Sequence, residues 1–292
     1  MFCKTAIRKI YNTLPFKVPL ALNIYLLARD RLRLLNKQKT VVKEINGITY
    51  ELQLNQLIDS SIYYDGCFEP NTVSCIKKLC KEGMTVIDIG ANIGCHTLLF
   101  AKIVGDSGKV IAFEPMEWAL KKLRRNINLN NVDNIIVEKM ALSNKKEIKE
   151  LLFKSSWTID NEKLPESQIP QKVNMATLDE YVSSNGIEHI GLIKLDVDGY
   201  EYKILKGALE TLKTHKPVII TEIGFYSLER VGDKAEDMLS LLASIGYQSY
   251  SEKNMMPYES VDKVLNSIPH GATINIILMN EINRFSFLSK IN

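Results

Sequence analysis

The run from Val86 to Gly94, VIDIGANIG, constrains this chain more than any other stretch. Val86, Ile87 and Ile89 are β-branched and leave no polar face, the pattern of a strand covered on both sides in a parallel sheet. Asp88 interrupts the run, Gly90 and Gly94 bracket a turn, and the apolar segment Cys95 to Val104 (CHTLLFAKIV) then reads as a helix. Strand, glycine turn and helix in immediate succession let a ligand approach bare backbone at a helix N-terminus. The bland alternative is a tight turn between strand and helix that holds no ligand.

The spacing narrows the ligand. A dinucleotide fingerprint, G-x-G-x-x-G, sets three glycines against a pyrophosphate. Here the order is G-x-N-x-G with an aspartate two residues ahead, closer to the cofactor loop of S-adenosylmethionine-dependent methyltransferases, whose ligand has no phosphate. A second short strand, Lys109 to Phe113, ends at Glu114-Pro115, twenty residues beyond Gly94. Doubly wound nucleotide folds place an acid there to accept hydrogen bonds from ribose hydroxyls. The competing reading of Glu114 is an acid favoured by the dipole of the helix that follows.

Around this centre the pattern predicts alternating strands and helices. Thr40 to Leu54 reads as a hairpin closed by Asn46-Gly47 in a type I′ turn. Asn71 to Lys81 carries one apolar stripe (Val73, Ile76, Leu79, Cys80), and Leu120, Leu123 and Ile127 form another. Asn134 to Glu138 reads as the third strand, with Ala141-Leu142-Ser143 in the loop after it. Lys154 to Gln171, polar and holding Pro165 and Pro170, reads as a long excursion with Trp157 as a local anchor. Val173 to Thr177 is a strand, Leu178 to Ser184 a short helix, and His189 to Asp196 and Pro217 to Glu222 are the fourth and fifth parallel strands, both ending in an acid. Asp198 and Glu201 have the spacing of a capping box. Met238, Leu241, Leu242 and Ile245 mark a late helix stopped at Gly246, and Tyr247 to Tyr250 and Thr273 to Met279 supply the last two strands.

Charge is unevenly spread. Residues 1 to 39 hold nine Lys/Arg against Asp30, a net +8, so the rest of the chain is −5 within a total of +3. A nucleic-acid enzyme carries its basic surface near its active site, and here it lies in an N-terminal extension. Val18 to Ala28 is about half the ~20 residues that a spanning helix needs, and Arg29, Arg31 and Arg33 stand where a signal cleavage site belongs. It reads as a helix packed on the domain, with a membrane-surface helix as the alternative. Five cysteines without a C-x-x-C pair suggest neither a disulfide framework nor a zinc ribbon, so a reducing, cytoplasmic setting is expected, with peripheral membrane contact through residues 1–39 as an addition.

Taken together, CFEP, VIDIGANIG, IAFEP, ALSN, ATLDEYV, IKLDVDGYE, ILKGA and PVIITEI resemble the FkbM-type methyltransferases, a class I S-adenosylmethionine-dependent family. The resemblance covers roughly residues 63 to 280. It implies an α/β fold with a Rossmann-like, seven-stranded, mostly parallel sheet, an antiparallel last strand and helices on both faces. It also implies S-adenosyl-L-methionine as cofactor and methyl transfer to a hydroxyl of a sugar, glycan or similar metabolite. By matched position, Asp88, Gly90, Asn92 and Gly94 form the cofactor loop, Glu114 contacts ribose, Ala141, Leu142 and Ser143 surround the adenine, and Glu69 of CFEP joins the cofactor set. Asp198 departs from the D-V-E-G common in the family. The domains expected are a basic helical extension and hairpin (1–60), the methyltransferase domain (61–280) and a tail (281–292).

A neutral hydroxyl is a poor nucleophile, so a base within hydrogen-bond reach is expected. Ligands of such folds bind beyond the carboxyl ends of the parallel strands, which favours Asp196 first and Glu222 second, with His270 and His96 as further candidates. His189 and His215 fall at the opposite edge. No metal is expected, because the acids lack ligand spacing. An NAD-linked oxidoreductase and a catalytically silent scaffold are the competing readings.

Overall fold

Asn46-Gly47 closes a hairpin because both residues tolerate a left-handed backbone. In the computed structural model, which describes residues 39–153 and 169–283, they take φ of 55° and 74° between β1 (Thr40–Ile45) and β2 (Ile48–Gln53). α1 (Leu57–Asp65) follows, and its Asp59 accepts the Gln53 N–H at 2.6 Å. These elements belong to the first of two compact units, which ends at Phe68; the described residues from Glu69 onward form the second. The basic segment before Lys39, the apolar run Val18 to Ala28 and Trp157 lie outside the described residues. Among the described residues no helix is long and apolar enough to cross a membrane.

The second unit contains, in chain order, α2 (Pro70–Leu79), β3 (Thr85–Ile89), α3 (Cys95–Val104), β4 (Lys109–Phe113), α4 (Glu117–Asn130), β5 (Ile135–Glu138), β6 (Ala141–Leu142), β7 (Glu147–Phe153), β8 (Ile169–Ala176), α5 (Leu178–Ser184), β9 (Leu192–Leu195), α6 (Glu201–Lys206), α7 (Leu209–His215), β10 (Val218–Ile223), α8 (Phe225–Glu229), α9 (Ala235–Ser244), β11 (Gln248–Ser251), α10 (Val261–Leu265) and β12 (Ile274–Met279). Seven strands form one sheet in the order β11-β12-β10-β9-β3-β4-β5. Pairing is parallel from β10 through β5, and β12 runs antiparallel to both neighbours. This is the Rossmann-like sheet that the motifs imply. Its strand order reverses between β3 and β9, where doubly wound sheets open a crevice at the carboxyl ends.

Successive residues of a strand point to opposite faces, and here the two faces differ. On one, Ile87, Ile89, Ile111, Phe113, Ile193, Leu195, Ile219 and Ile223 pack under α5, α6, α7 and α9 in a single apolar cluster. On the other, Val86, Val110, Leu192, Val218, Ile220 and Ile277 pack on Ile76 and Leu79 of α2 and on Phe100 and Val104 of α3. The second face changes character toward the carboxyl ends. Two-residue steps along it lead from Val86 to Asp88, from Leu192 to Lys194 and Asp196, from Ile220 to Glu222, from Ala112 to Glu114, and on antiparallel β12 from Ile277 back to Asn275. An apolar floor thus ends in a polar rim.

Three local expectations are corrected. The strand expected at Val173 to Thr177 is the longer β8, which begins inside the stretch read as an excursion and joins β6 and β7 in a separate three-stranded sheet. β7 carries no strand signal in the sequence because it is charged, and its Ile148 is exposed. Asp198 and Glu201 form no capping box: α6 starts after Tyr200, and Glu201 accepts the N–H groups of Val197 and Gly199 at 2.9 and 3.2 Å. The cause is Gly199, at φ 109°, where a Cβ would lie 2.1 Å from the Ser227 carbonyl oxygen. The chain passes α8 so closely that it turns sharply, with Asp198 itself at φ 54°, before any helix begins.

Candidate functional site

The turn after β3 is held against the end of β4. The N–H groups of Gly90 and Ala91 both donate to the Phe113 carbonyl at 3.0 Å, and Asn126 of α4 donates to the Ile93 carbonyl at 2.9 Å. Gly90, Asn92 and Gly94 all have positive φ (83°, 50° and 89°), a run that residues with side chains rarely adopt. The glycines are explained by neighbours in the protein. A Cβ at Gly90 would come within 1.9 Å of the Asp196 carbonyl oxygen, and one at Gly94 would meet Leu123 Cδ1 at 2.6 Å. The space beside Gly94 is filled by helix α4.

Glu114 closes the turn. Its two carboxylate oxygens accept the N–H groups of Asn92 and Met116, each at 2.8 Å. Burial raises its pKa to about 7, against the lowering effect of those two hydrogen bonds. Behind the turn, Asp88 is buried and its Oδ2 accepts the Thr97 hydroxyl at 2.6 Å. Burial raises the Asp88 carboxyl, with Lys194 and Thr97 pulling it down. Glu69, in a left-handed conformation at the start of α2 (φ 49°), lies 3.8 Å from His96 Nε2 and is likewise raised by burial. His96 is buried beside it.

Across the sheet, Lys194 donates to Asp196 Oδ2 at 3.0 Å. Burial alone would lower the Lys194 ammonium, but Asp196, Asp88 and Glu69 reverse the effect and raise it. Glu222 accepts a hydrogen bond from the Thr273 hydroxyl. Burial, followed by the charge of Asp196, pushes it to about 8. Glu201, buried behind Asp196, is raised by burial to about 7. Asn275 extends the rim by donating to the Thr72 hydroxyl at 3.1 Å, and that hydroxyl donates to Glu252.

Asp88, Gly90, Asn92, Gly94, Glu114, Glu69, His96, Asp196 and Glu222 are therefore gathered at one edge of the sheet. His270 is exposed, and among the described residues no contact ties it to the cluster; Thr273, three residues on, makes the link to Glu222 instead. Ala141, Leu142 and Ser143 stand apart in β6 and just beyond. Leu142 shares a core cluster with Phe113, and the Ser143 carbonyl lies where a Cβ on Gly207 would fall, 2.2 Å away. That contact explains the glycine of ILKGA as a packing requirement. At the far edge, burial and then the neighbouring His189 lower His215. Lys194, Thr97, Glu201 and Thr273 were missed as site residues. The signal for Lys194 was readable, since a lysine inside a buried strand, in step with Asp196, requires a charged partner.

Three buried acceptor atoms of the site, Asp88 Oδ1, Asn92 Oδ1 and Glu69 Oε2, have no hydrogen-bond partner among the described residues. Among the described residues of the rim, carboxyls outnumber lysines. A ligand fitting such a rim brings hydrogen-bond donors and positive charge. S-adenosyl-L-methionine, with its sulfonium, ammonium and ribose hydroxyls, meets that demand, whereas the pyrophosphate of a dinucleotide would add negative charge to it. Among the described residues no group of three His, Cys, Asp or Glu is placed to hold a metal ion.

Comparison with known proteins decides the family. The methyltransferase FkbM domain matches residues 88–249, more than half of the chain. This chain belongs to the FkbM methyltransferase family. The 31-O-demethyl-FK506 methyltransferase FkbM of Streptomyces tacrolimicus is 25% identical over 182 residues, covering 52% of this chain and 68% of that one. A protein-L-isoaspartate O-methyltransferase of Methanococcus maripaludis is 27% identical over 114 residues, covering 34% of this chain and 54% of that one. Among solved structures, a methyltransferase FkbM from Methylobacillus flagellatus is 17% identical with a TM-score of 0.45, covering 74% of this chain and 49% of that one. The FkbM chain described here is a methyltransferase that uses S-adenosyl-L-methionine, and the reading as an NAD-linked oxidoreductase falls away.

Proposed function

We propose that this methyltransferase acts on oxygen, methylating a hydroxyl of a sugar, glycan or similar small acceptor, and that Asp196 and Glu222 handle the proton. The observation that carries the reading is the carboxylate pair at the ends of adjacent strands β9 and β10. Asp196 is hydrogen-bonded to Lys194, and Glu222 is raised to about 8 mainly by burial. A carboxyl raised into the neutral range beside a second one held by a lysine suits acid and base work near neutral pH.

The residues that would hold the cofactor are Asp88, Gly90, Asn92 and Gly94 in the turn, Glu114 toward the ribose and Glu69 toward the positive end, with Ala141 to Ser143 nearer the adenine. When bound, S-adenosyl-L-methionine supplies a sulfonium methyl, an electrophile that an alcohol oxygen attacks once its proton has a taker. Asp196 is the first candidate for that taker and Glu222 the second; Thr273 orients Glu222, and His96, behind Glu69, has a minor part. Positioning supplies much of the rate in such transfers, and the hydrogen bonds from Thr97, Thr273 and Lys194 fix the carboxylates for it.

The test compares acceptor pools from cells with and without the gene by mass spectrometry, searching for species one methyl group apart. An O-methylated metabolite dependent on the gene is expected, and an N- or C-methylated one would overturn the reading. With the acceptor in hand, single-turnover transfer by Asp196→Asn and Glu222→Gln at saturating cofactor assigns the base. We also place the enzyme in the cytoplasm and carry forward contact of residues 1–39 with anionic membranes, on their charge of +8. Equal pelleting with anionic vesicles by the full chain and by a chain starting at Thr40 would remove that contact.

A further inference from the structure

Lys194 is the member of the site whose place on the buried floor its hydrogen bond to Asp196 leaves unexplained. β9 is central, and Lys194 stands in register between Asp88 on β3 and Ile220 on β10. Only 4% of its surface is exposed. An aliphatic side chain, like that of Leu192 two residues earlier, would complete the floor at far lower desolvation cost, since an ammonium is buried only where partners compensate it. The partners are present. The ammonium donates to Asp196 Oδ2 at 3.0 Å, and its charge acts on Asp88 and Glu69. The backbone joins the same two segments, because Gly90 abuts the Asp196 carbonyl so closely that no Cβ fits between them.

We propose that Lys194 is a positioning residue for methyl transfer, its one charge shared between Asp88 beneath the cofactor turn and Asp196 on the acceptor side, so that the two carboxyls are fixed relative to each other. Asp88 depends on this charge, because Oδ2 has the Thr97 hydroxyl but Oδ1 has no hydrogen-bond partner among the described residues. The titratable groups around the ammonium are Asp88 from β3, Glu69 from the start of α2 with His96 next to it, Cys95 from the start of α3, Asp196 on its own strand and Glu222 from β10 through Asp196. Without the lysine these carboxylates compete for protons, and the two halves of the site lose their common tie.

The inference rests on Asp196 facing the acceptor, but its test needs no acceptor. Full-length protein with carboxyl-labelled aspartate is titrated by NMR between about pH 5 and pH 8, with Asp88→Asn and Asp196→Asn assigning the signals. The parent is expected to show Asp88 above an ordinary aspartate, since its burial outweighs the pull of Lys194 and Thr97. In Lys194→Met at least one should bind its proton about tenfold or more tightly, a shift of at least one pH unit. By calorimetry, S-adenosylhomocysteine should bind about tenfold more weakly. Lys194→Arg, which keeps the charge, should restore the titration. Should Lys194→Met fail to fold, Lys194→Met combined with Asp88→Asn removes both charges, and recovery of folding would support the tie. Unchanged titration and affinity in a folded Lys194→Met, or a double variant no better than the sum of its singles, overturns the proposal. If Asp196→Asn then still abolishes transfer, the proposed function stands without it; if Asp196→Asn transfers normally while the titration shifts, the acceptor reading falls and the tie remains.

Discussion

The two faces of the seven-stranded sheet are built from the same strands, yet one is apolar along most of its length, Thr221 and Glu138 apart, and the other is apolar only for its first half. Ile193 and Leu195 look into a closed hydrophobic cluster, while Lys194 between them looks toward Asp88 and Asp196. A single step along a strand separates a residue that holds the fold from one that holds the site. Because the side-chain period is two, each face takes its own composition with no change in backbone pairing. The first face needs only shape and hydrophobicity. The second concentrates buried acids against one lysine, an arrangement that costs stability and makes sense where a cationic ligand is received.

The place where the two demands meet should break first. Gly90 follows Ile89 of the apolar face and abuts the Asp196 carbonyl, and an alanine Cβ there would lie 1.9 Å from that oxygen at a φ of 83°. Backbone cannot yield as a side-chain tip can. Gly90→Ala should cost about 4 kcal/mol or more, in the exceptional range for single substitutions, and urea unfolding of a soluble variant near parent stability would refute the contact. Phe113→Ala, on the apolar face, should cost about 3–5 kcal/mol while the folded protein binds S-adenosylhomocysteine almost as the parent does. An affinity loss as large as that of a rim variant would break the division between the faces.

The apolar face was legible in the sequence, and the rim was legible only in part. Ile87, Ile89 and Ile219 sit in β-branched runs bounded by turn residues, and such runs state their burial directly. Asp88, Glu114, Asp196 and Glu222 were readable as acids at strand tips. What they touch was not, because the hydrogen bonds from Thr97 and Thr273 come from elements whose approach is set by packing. Thr273 is 51 residues from Glu222. The motif glycines show the same limit: Gly90, Gly199 and Gly207 look like ligand or turn signals, and each is required by a carbonyl of Asp196, Ser227 or Ser143 pressed against it. β7, with its exposed Ile148, carried no readable face at all.

Glu114 sharpens the comparison at the rim. Both its oxygens accept backbone N–H groups, so Glu114→Gln, whichever way its amide turns, sets an NH2 against the N–H of Asn92 or Met116. Loss of one charge-assisted bond and of the proposed ribose contact should weaken S-adenosylhomocysteine by about 2–3 kcal/mol, roughly 30- to 150-fold. Cofactor binding at parent strength would remove the ribose assignment. The rim also sets a pH dependence. Glu114 and Glu201 titrate at about 7 and Glu222 at about 8 in the fold, all above their ordinary 4.5. Between 4.5 and these values the native state therefore binds more protons than the unfolded chain, so the stability these three groups contribute is fully present below 4.5 and is lost as pH rises through 7 to 8. The melting temperature of cofactor-free protein should drop over that range, and Glu222→Gln should flatten the slope. A melting temperature that climbs with pH would mean that these carboxyls are ionised in the fold.

The smallest effect is expected at Thr97. Its hydroxyl donates to Asp88 Oδ2 at 2.6 Å from α3, and Asp88 Oδ1 has no such partner among the described residues. Thr97→Val keeps the shape, so no cavity forms and the apolar packing around Phe100 and Val104 is undisturbed. It removes a donor from a buried carboxylate, which should cost about 1.5 kcal/mol. Asp88→Asn should recover part of that loss, since an amide tolerates a missing donor better than a charge does. The pair of variants thus separates hydrogen bonding from packing on the polar side of the sheet. If Thr97→Val is neutral, Asp88 is satisfied by Lys194 alone and the helix contributes only its apolar side. If Asp88→Asn deepens the loss, Asp88 needs its charge for stability in the empty protein, and the acids of the rim are structural before they are functional.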